Sequence, residues 1–332
     1  MPLAESLSPP VTFHQLVTGW QTDWMSLVSL CIEIGIAAWY VLSVIRLARR
    51  GRQWSRWRTA SFLLGTLAVV VAVQSGLASY DDSVFKVHVV QHLLLMNVAP
   101  ILYALAAPVT LTLQASNRKT QQRLLSVLHS KPVEFITHPV LVVINFTATM
   151  LFFFLTPFYQ FSLEHPLLHE FTHLHFLVSG ILYWWLVVGI DPSRWRLSFP
   201  AKLGYLAVGV PVSAILGLAL TESRASIAPQ FHTVADTHAG GAILWILGEL
   251  FTLSALAIIF VQWMRADIRE AARYDRRNGA AAVRHDGTAI RSELSGREAL
   301  TADMTVAVTV VNGRLVAAEE AVPGDPPTPP RP

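Results

Sequence analysis

Seven runs of apolar residues, each about as long as a bilayer is thick, divide this chain: residues 24–46, 59–79, 87–107, 138–157, 167–190, 200–221 and 240–264. A helix needs about 20 such residues to cross about 30 Å of hydrocarbon. In lipid every backbone N–H and C=O must be satisfied within the segment, and for runs of this length the helix achieves that. The chain is 53% hydrophobic and 14% charged, and its apolar residues come in long blocks, not in the stripes of a water-soluble helix. The expected fold is therefore all-α: a polytopic membrane protein of seven transmembrane helices set in a lipid bilayer. Residues 1–23 read as an outer N-terminal segment, 24–265 as the transmembrane domain, and 266–332 as a cytoplasmic, largely disordered tail.

Basic residues decide which side is which, because cytoplasmic loops retain them. Arg46, Arg49, Arg50, Arg52, Arg56 and Arg58 follow the first run, and Arg118, Lys119, Arg123 and Lys131 follow the third. Arg194, Arg196 and Lys202 follow the fifth, and Arg265, Arg269, Arg273, Arg276 and Arg277 follow the last. The three opposite loops carry only Lys86 and Arg224. The N-terminus is thus expected outside and the C-terminus in the cytoplasm. The net charge of +3 is a topology signal and not a nucleic-acid footprint.

Residues 1–23 lack a charged n-region and a separate apolar h-region, so the first run is expected to serve as its own insertion signal. The single cysteine, Cys31, is expected to be buried in that run, and one cysteine excludes both an intrachain disulfide and a Cys-x-x-Cys thiolate site. Soft-metal chemistry must then use histidine, methionine or carboxylate. In the tail the last helix is expected to extend to about Arg277, and the chain ends in the proline-dense stretch 323–332. Strand-forming residues flank an Asn312-Gly313 turn signal, although a lone hairpin is only marginally stable.

Eight of the twelve histidines fall at the outer ends of the runs: His88, His92, His165, His169, His173, His175, His232 and His238. His88, His92 and Met96 recur at i, i+4 and i+8, so they share a helical face, and Met96 supplies a thioether that suits Cu(I). The alternative is a pair of interfacial histidines bonded to water or to Asp81 and Asp82. Pro166 fits a first helical turn, which puts His169 and His173 on one face of the fifth run and turns His175 elsewhere. His169-Glu170-Phe171-Thr172-His173 also has the form of the zinc-protease helix. Here it opens a membrane span and no substrate-binding signature accompanies it, so the chain is not read as an enzyme. The last outer loop adds His232, Asp236 and His238. Asp236 is a ligand, an orienter of a histidine ring, or a helix N-cap.

Two carboxylates lie inside the hydrocarbon, where a charge is costly and therefore functional by default. Glu33 and Glu249 both sit about 13 Å below the outer face at 1.5 Å per residue. They read as an intramembrane relay, or as neutral acids that tie helices together.

The pattern His88-x-x-Gln91-His92-Leu-Leu-Leu-Met96-x-x-Ala99-Pro100, with Ala107-Pro108, resembles the central signature of the CtaG-type cytochrome c oxidase assembly factors. Further similarities extend across about residues 20–265. They are His138-Pro139, the histidine-bearing start of the fifth run, Gly180 with Trp184-Trp185, Gly189-Ile-Asp191-Pro192, and Asp236 through Gly240-Gly241 to Trp245 and Glu249. The resemblance implies a multi-pass protein of the bacterial plasma membrane, needed to build an active caa-type oxidase by helping copper reach it. It carries a metal role onto His88, His92, His169, His173 and Asp236, with Met96 and His238 as further members.

The resulting expectation is an assembly factor that binds a copper ion at an outer histidine cluster and passes it to a cytochrome c oxidase subunit. Three alternatives stay open from the residues. A haem protein would use one histidine from each of two helices as axial ligands, a copper permease would pass the ion inward by way of Glu33 and Glu249, and a scaffold would need no metal. Hydropathy does not give the order of helices around the bundle, nor the oligomeric state.

Overall fold

The computed structural model describes residues 12–298, 308–311 and 314–317. Seven apolar helices form its core: α1 (Trp24–Arg49), α2 (Arg56–Tyr80), α3 (Phe85–Ala115), α4 (Pro139–Leu155), α5 (Pro166–Val188), α6 (Phe199–Thr221) and α7 (Val234–Glu298). All but α4 are long and apolar enough to cross a membrane, and α4 is an apolar helix of 17 residues. Large aliphatic side chains stand on the outer surface, among them Ile32 at 57%, Ile246 at 64% and Leu250 at 57% exposure. Water would penalise each by about 1.5–3 kcal/mol, whereas lipid does not. The protein is a multi-pass, helical membrane protein.

Local chemistry sets the helix ends. Asp23 caps α1, its carboxylate accepting from Met25 N at 2.9 Å and Ser26 N at 3.1 Å. Arg46 and Arg49 sit in the last turn of α1, where cations complement the helix dipole. Pro139 and Pro166 open α4 and α5, and Gly189, at φ +64°, closes α5. Cys31 is exposed on α1 and faces outward from the bundle, contrary to the burial expected from its place mid-run.

The third helix is irregular for reasons written in its prolines. Pro100 has no N–H to offer the carbonyl of Met96 four residues earlier. A π-helical turn occupies Leu94–Val98, and the Trp184 indole N–H of α5 donates to the Met96 carbonyl at 3.2 Å. Gly180 makes that approach feasible, because a Cβ there would run into the Met96 carbonyl and the Pro100 ring. Pro108 causes a second break, with Ala107 in the left-handed region at φ 52°. Buried Asp191 caps the restarted helix, accepting from Val109 N at 3.1 Å and Thr110 N at 2.7 Å. The same loop residue thus holds the far end of α3 against α5.

The described residues from Arg265 onward group into a second unit. The helix that begins at Val234 is continuous to Glu298, well beyond Arg277. Val308–Val311 pairs antiparallel with Arg314–Ala317 in the register Val311↔Arg314, on either side of the Asn312-Gly313 turn signal. That turn, residues 299–307 and 318–322, and the proline-dense end 323–332 of the tail expected to be largely disordered lie outside the described residues.

Candidate metal centre

The N-terminal halves of α3 and α5 face each other through four imidazoles. On α3, His88 and His92 are one turn apart with ring centroids at 4.1 Å; on α5, His169 and His173 are at 4.5 Å. Across the helix interface, His88 lies 5.3 Å from His169 and His92 lies 5.6 Å from His173. None of the four is more than 6% exposed. Phe153 and Phe176 pack on His92, and Tyr159 on His88, so the α3 pair is walled by aromatic rings.

Two groups of ligand atoms emerge, each with its atoms within 4.8 Å of one another: His88, His92 and His169, and Asp81, His169 and His173. Metal–nitrogen bonds of about 2.0–2.1 Å place tetrahedral ligand atoms about 3.4 Å apart. Rotamer adjustments of about an ångström would therefore close either set. Both ring nitrogens of His88, His92 and His173, together with Nε2 of His169, are buried without a hydrogen-bond partner. Leaving one buried polar group unsatisfied costs about 1–3 kcal/mol, so seven such atoms in one place form a donor set suited to a cation.

Carboxylates from the α2–α3 connection arrange one side of the cluster. Gln91 donates through Nε2 to Asp81 Oδ2 at 3.0 Å and to the Ala72 carbonyl at 3.1 Å, which holds Asp81 toward His173 Nε2 at 3.9 Å. Asp82 Oδ1 lies 3.4 Å from His169 Nδ1, leaving Nε2 to point inward, as an outer-shell carboxylate does for a ligating histidine. Burial pushes the Asp81 carboxyl up to about 7; His169 opposes this and Asp82 adds to it. Asp81 is the member of the centre that sequence reasoning missed as a ligand. Its signal was two adjacent aspartates just before an apolar run.

The loop before α7 and the first turns of α7 serve a different purpose. Asp236 accepts hydrogen bonds from the backbone N–H of Phe85 and, at 3.5 Å, of Lys86, so it caps α3 from α7 and stands in neither ligand group. His232 Nε2 pairs with the Tyr159 hydroxyl at 2.7 Å, and His238 Nε2 with the Ser223 carbonyl at 2.8 Å. Burial holds the His232 ring below its usual value, against the nearby Asp236 carboxylate. Gly240 sits against the Phe85 ring, where a Cβ has no room, so α7 packs tightly on the start of α3.

Met96 falls within the π turn, which breaks the i, i+4, i+8 phase. It lines an apolar space with Leu93, Phe146, Tyr183 and Trp184. His175 turns away, to the Thr149 hydroxyl at 2.9 Å, and His165 Nδ1 to the Phe161 carbonyl at 2.9 Å. Glu33 accepts from Ser29 on its own helix at 3.2 Å, and Glu249 from Ser213 of α6 at 2.7 Å, each with its second oxygen buried and unpartnered.

A family model for the cytochrome c oxidase caa3 assembly factor matches residues 38–266, which include both histidine-bearing helices. Uncharacterized proteins from Mycobacterium bovis, Mycobacterium tuberculosis and Mycobacterium leprae are each 32% identical to the chain over 292 residues, covering 82% of it. The chain spans 44% of the length of these relatives. No solved structure matches. On the strength of the matched span, this chain belongs to the cytochrome c oxidase caa3 assembly factor family.

Proposed function

We propose that this protein takes up copper at the outer-face histidine cluster and assists its delivery to a cytochrome c oxidase subunit in the bacterial plasma membrane. The observation that carries this reading is the convergence of four buried imidazoles, seven of their nitrogens unpartnered, from two separate helices. The ion is cargo. A few neutral ligands hold it, and the partner's ligands displace them one at a time, so no covalent catalysis is needed and the protein is read as a non-enzyme. The topology goes with this role: seven spans, α4 included, with the N-terminus outside, the arginine-rich loops in the cytoplasm, and the histidines at the extracytoplasmic face. About 25 Å of helix at 1.5 Å per residue suffices for α4.

Ring packing favours a bare ion over haem. His88 and His169 stack at 5.3 Å with planes 4° apart, and Phe153 and Phe176 press on His92, which leaves no slab for a macrocycle. The test is made in a strain lacking the protein and complemented with wild type or with His88→Ala/His92→Ala. Wild type should restore oxidase with copper in place and co-purify with copper, whereas the double variant should leave the oxidase short of copper and co-purify with less of it than wild type. A variant that binds no copper and still supports full oxidase assembly would overturn the proposal.

A further inference from the structure

Beside the all-imidazole group lies an opening of about 160 Å³, lined by Asp23, Asp81, Asp82, His169, Glu170 and His173. It lies where the start of α1, the α2–α3 connection and the first turn of α5 come together. Its rim is acidic, with Asp82 and Glu170 substantially exposed, and its floor consists of buried Asp81 and His173. His173 is 4% exposed, has no hydrogen-bond partner at either ring nitrogen, faces Glu170 at 3.7 Å and Asp81 at 3.9 Å, and lines the opening. His88 and His92 lie deeper, at most 2% exposed, and reach the opening by way of His169. At about 30 Å³ per water the space holds roughly five waters, enough for a cation that still carries part of its hydration shell.

We infer that this vestibule is the loading position for a divalent transition-metal cation, held by Asp81, His169 and His173 and then passed to His88, His92 and His169 by way of the shared His169. This rests on the metal reading above and adds to it a route and a charge class. The outer donor set has a carboxylate and two imidazoles, a mixture suited to divalent ions, while the inner set is imidazole alone. Because His169 belongs to both groups, one ion occupies the two positions in turn. The four carboxylates around the opening concentrate cations at its mouth and raise the rate of loading.

The test uses the full-length protein in lipid nanodiscs with Cu²⁺ as the probe. Wild type that binds no Cu²⁺ refutes the metal reading itself, before any variant is compared. Given binding, His88→Ala should retain the ion with the electron paramagnetic resonance signature of two nitrogens and an oxygen. Asp81→Asn should retain it with three nitrogens, and His169→Ala should weaken binding at least tenfold more than either. Asp23→Asn/Glu170→Gln should load at least fivefold more slowly in low salt, and the difference should close at high salt as screening removes the steering. If His88→Ala and Asp81→Asn each abolish binding as fully as His169→Ala, there is one indivisible site and the two-position route fails. Loading of the rim variant at the wild-type rate in low salt fails it independently, whether or not the buried variants fold.

Discussion

His88 and His169 come from different helices, yet their imidazole rings stack with planes 4° apart and centroids at 5.3 Å. That contact is the seam of the candidate metal centre, and it sets which substitutions should matter. His88→Ala should weaken copper binding by about 100-fold, at the upper end of what loss of an outer-shell partner costs and reasonable for a ligand. His175→Ala, whose ring turns to Thr149 on α4, should stay within twofold of wild type. Competition against a chromophoric chelator measures both, and equal losses would remove the distinction between the two faces of α5.

Asp236 reads as a cap, and Asp236→Asn separates that role from a ligand's. Asparagine keeps one accepting oxygen for the Phe85 N–H and loses the charge near Lys86. The expected cost is about 1 kcal/mol of stability, with copper affinity within threefold of wild type. Thermal unfolding and chelator competition on the same sample check the pair of values. A large loss of affinity with unchanged stability would return Asp236 to the ligand set.

Gly180→Ala should act at a distance. The added methyl meets the Met96 carbonyl and the Pro100 ring, where backbone has to move. Overpacking of this kind costs about 1–3 kcal/mol. Because the same contact sets α5 against α3, copper affinity should fall together with stability. Unfolding midpoints and copper retention should decline in parallel, and stability lost without any change in affinity would show that the centre tolerates a shift of α5.

Acidity should control the outer group through Asp81. Its carboxyl, raised by burial to about 7, has to lose its proton to bind a cation. Affinity should therefore climb with pH up to about 7 and level off above it, and Asp81→Asn should flatten that rise. In the metal-free protein the sign is opposite for stability. The folded value lies above the ordinary 3.8, so the stabilisation from this proton is full below about pH 4 and is lost as pH rises toward 7. Unfolding of the chelated protein at pH 5 and pH 8 reads this, with Asp81→Asn as the control.

Much of the architecture was legible in residue order alone. Apolar block length sets the helices because lipid leaves the backbone no other way to satisfy itself, and prolines and small polar residues mark their ends. The pairs His88 with His92 and His169 with His173 follow from 3.6 residues per turn, which is local geometry. What residue order did not determine is which helix faces pair. In a membrane both the inner and the lipid-facing sides of a helix are apolar, so no stripe identifies the inward face.

Tertiary packing made that choice. It joined the α3 and α5 pairs, brought in Asp81 through Gln91, and assigned Asp236, His232 and His238 to capping and pairing. It also shifted the phase of Met96, because the carbonyl orphaned by Pro100 found its donor in Trp184, a residue 88 positions away. Local sequence determines which groups can bond. Only the packed bundle determines which partner comes within reach, because that depends on contacts between segments far apart in the chain.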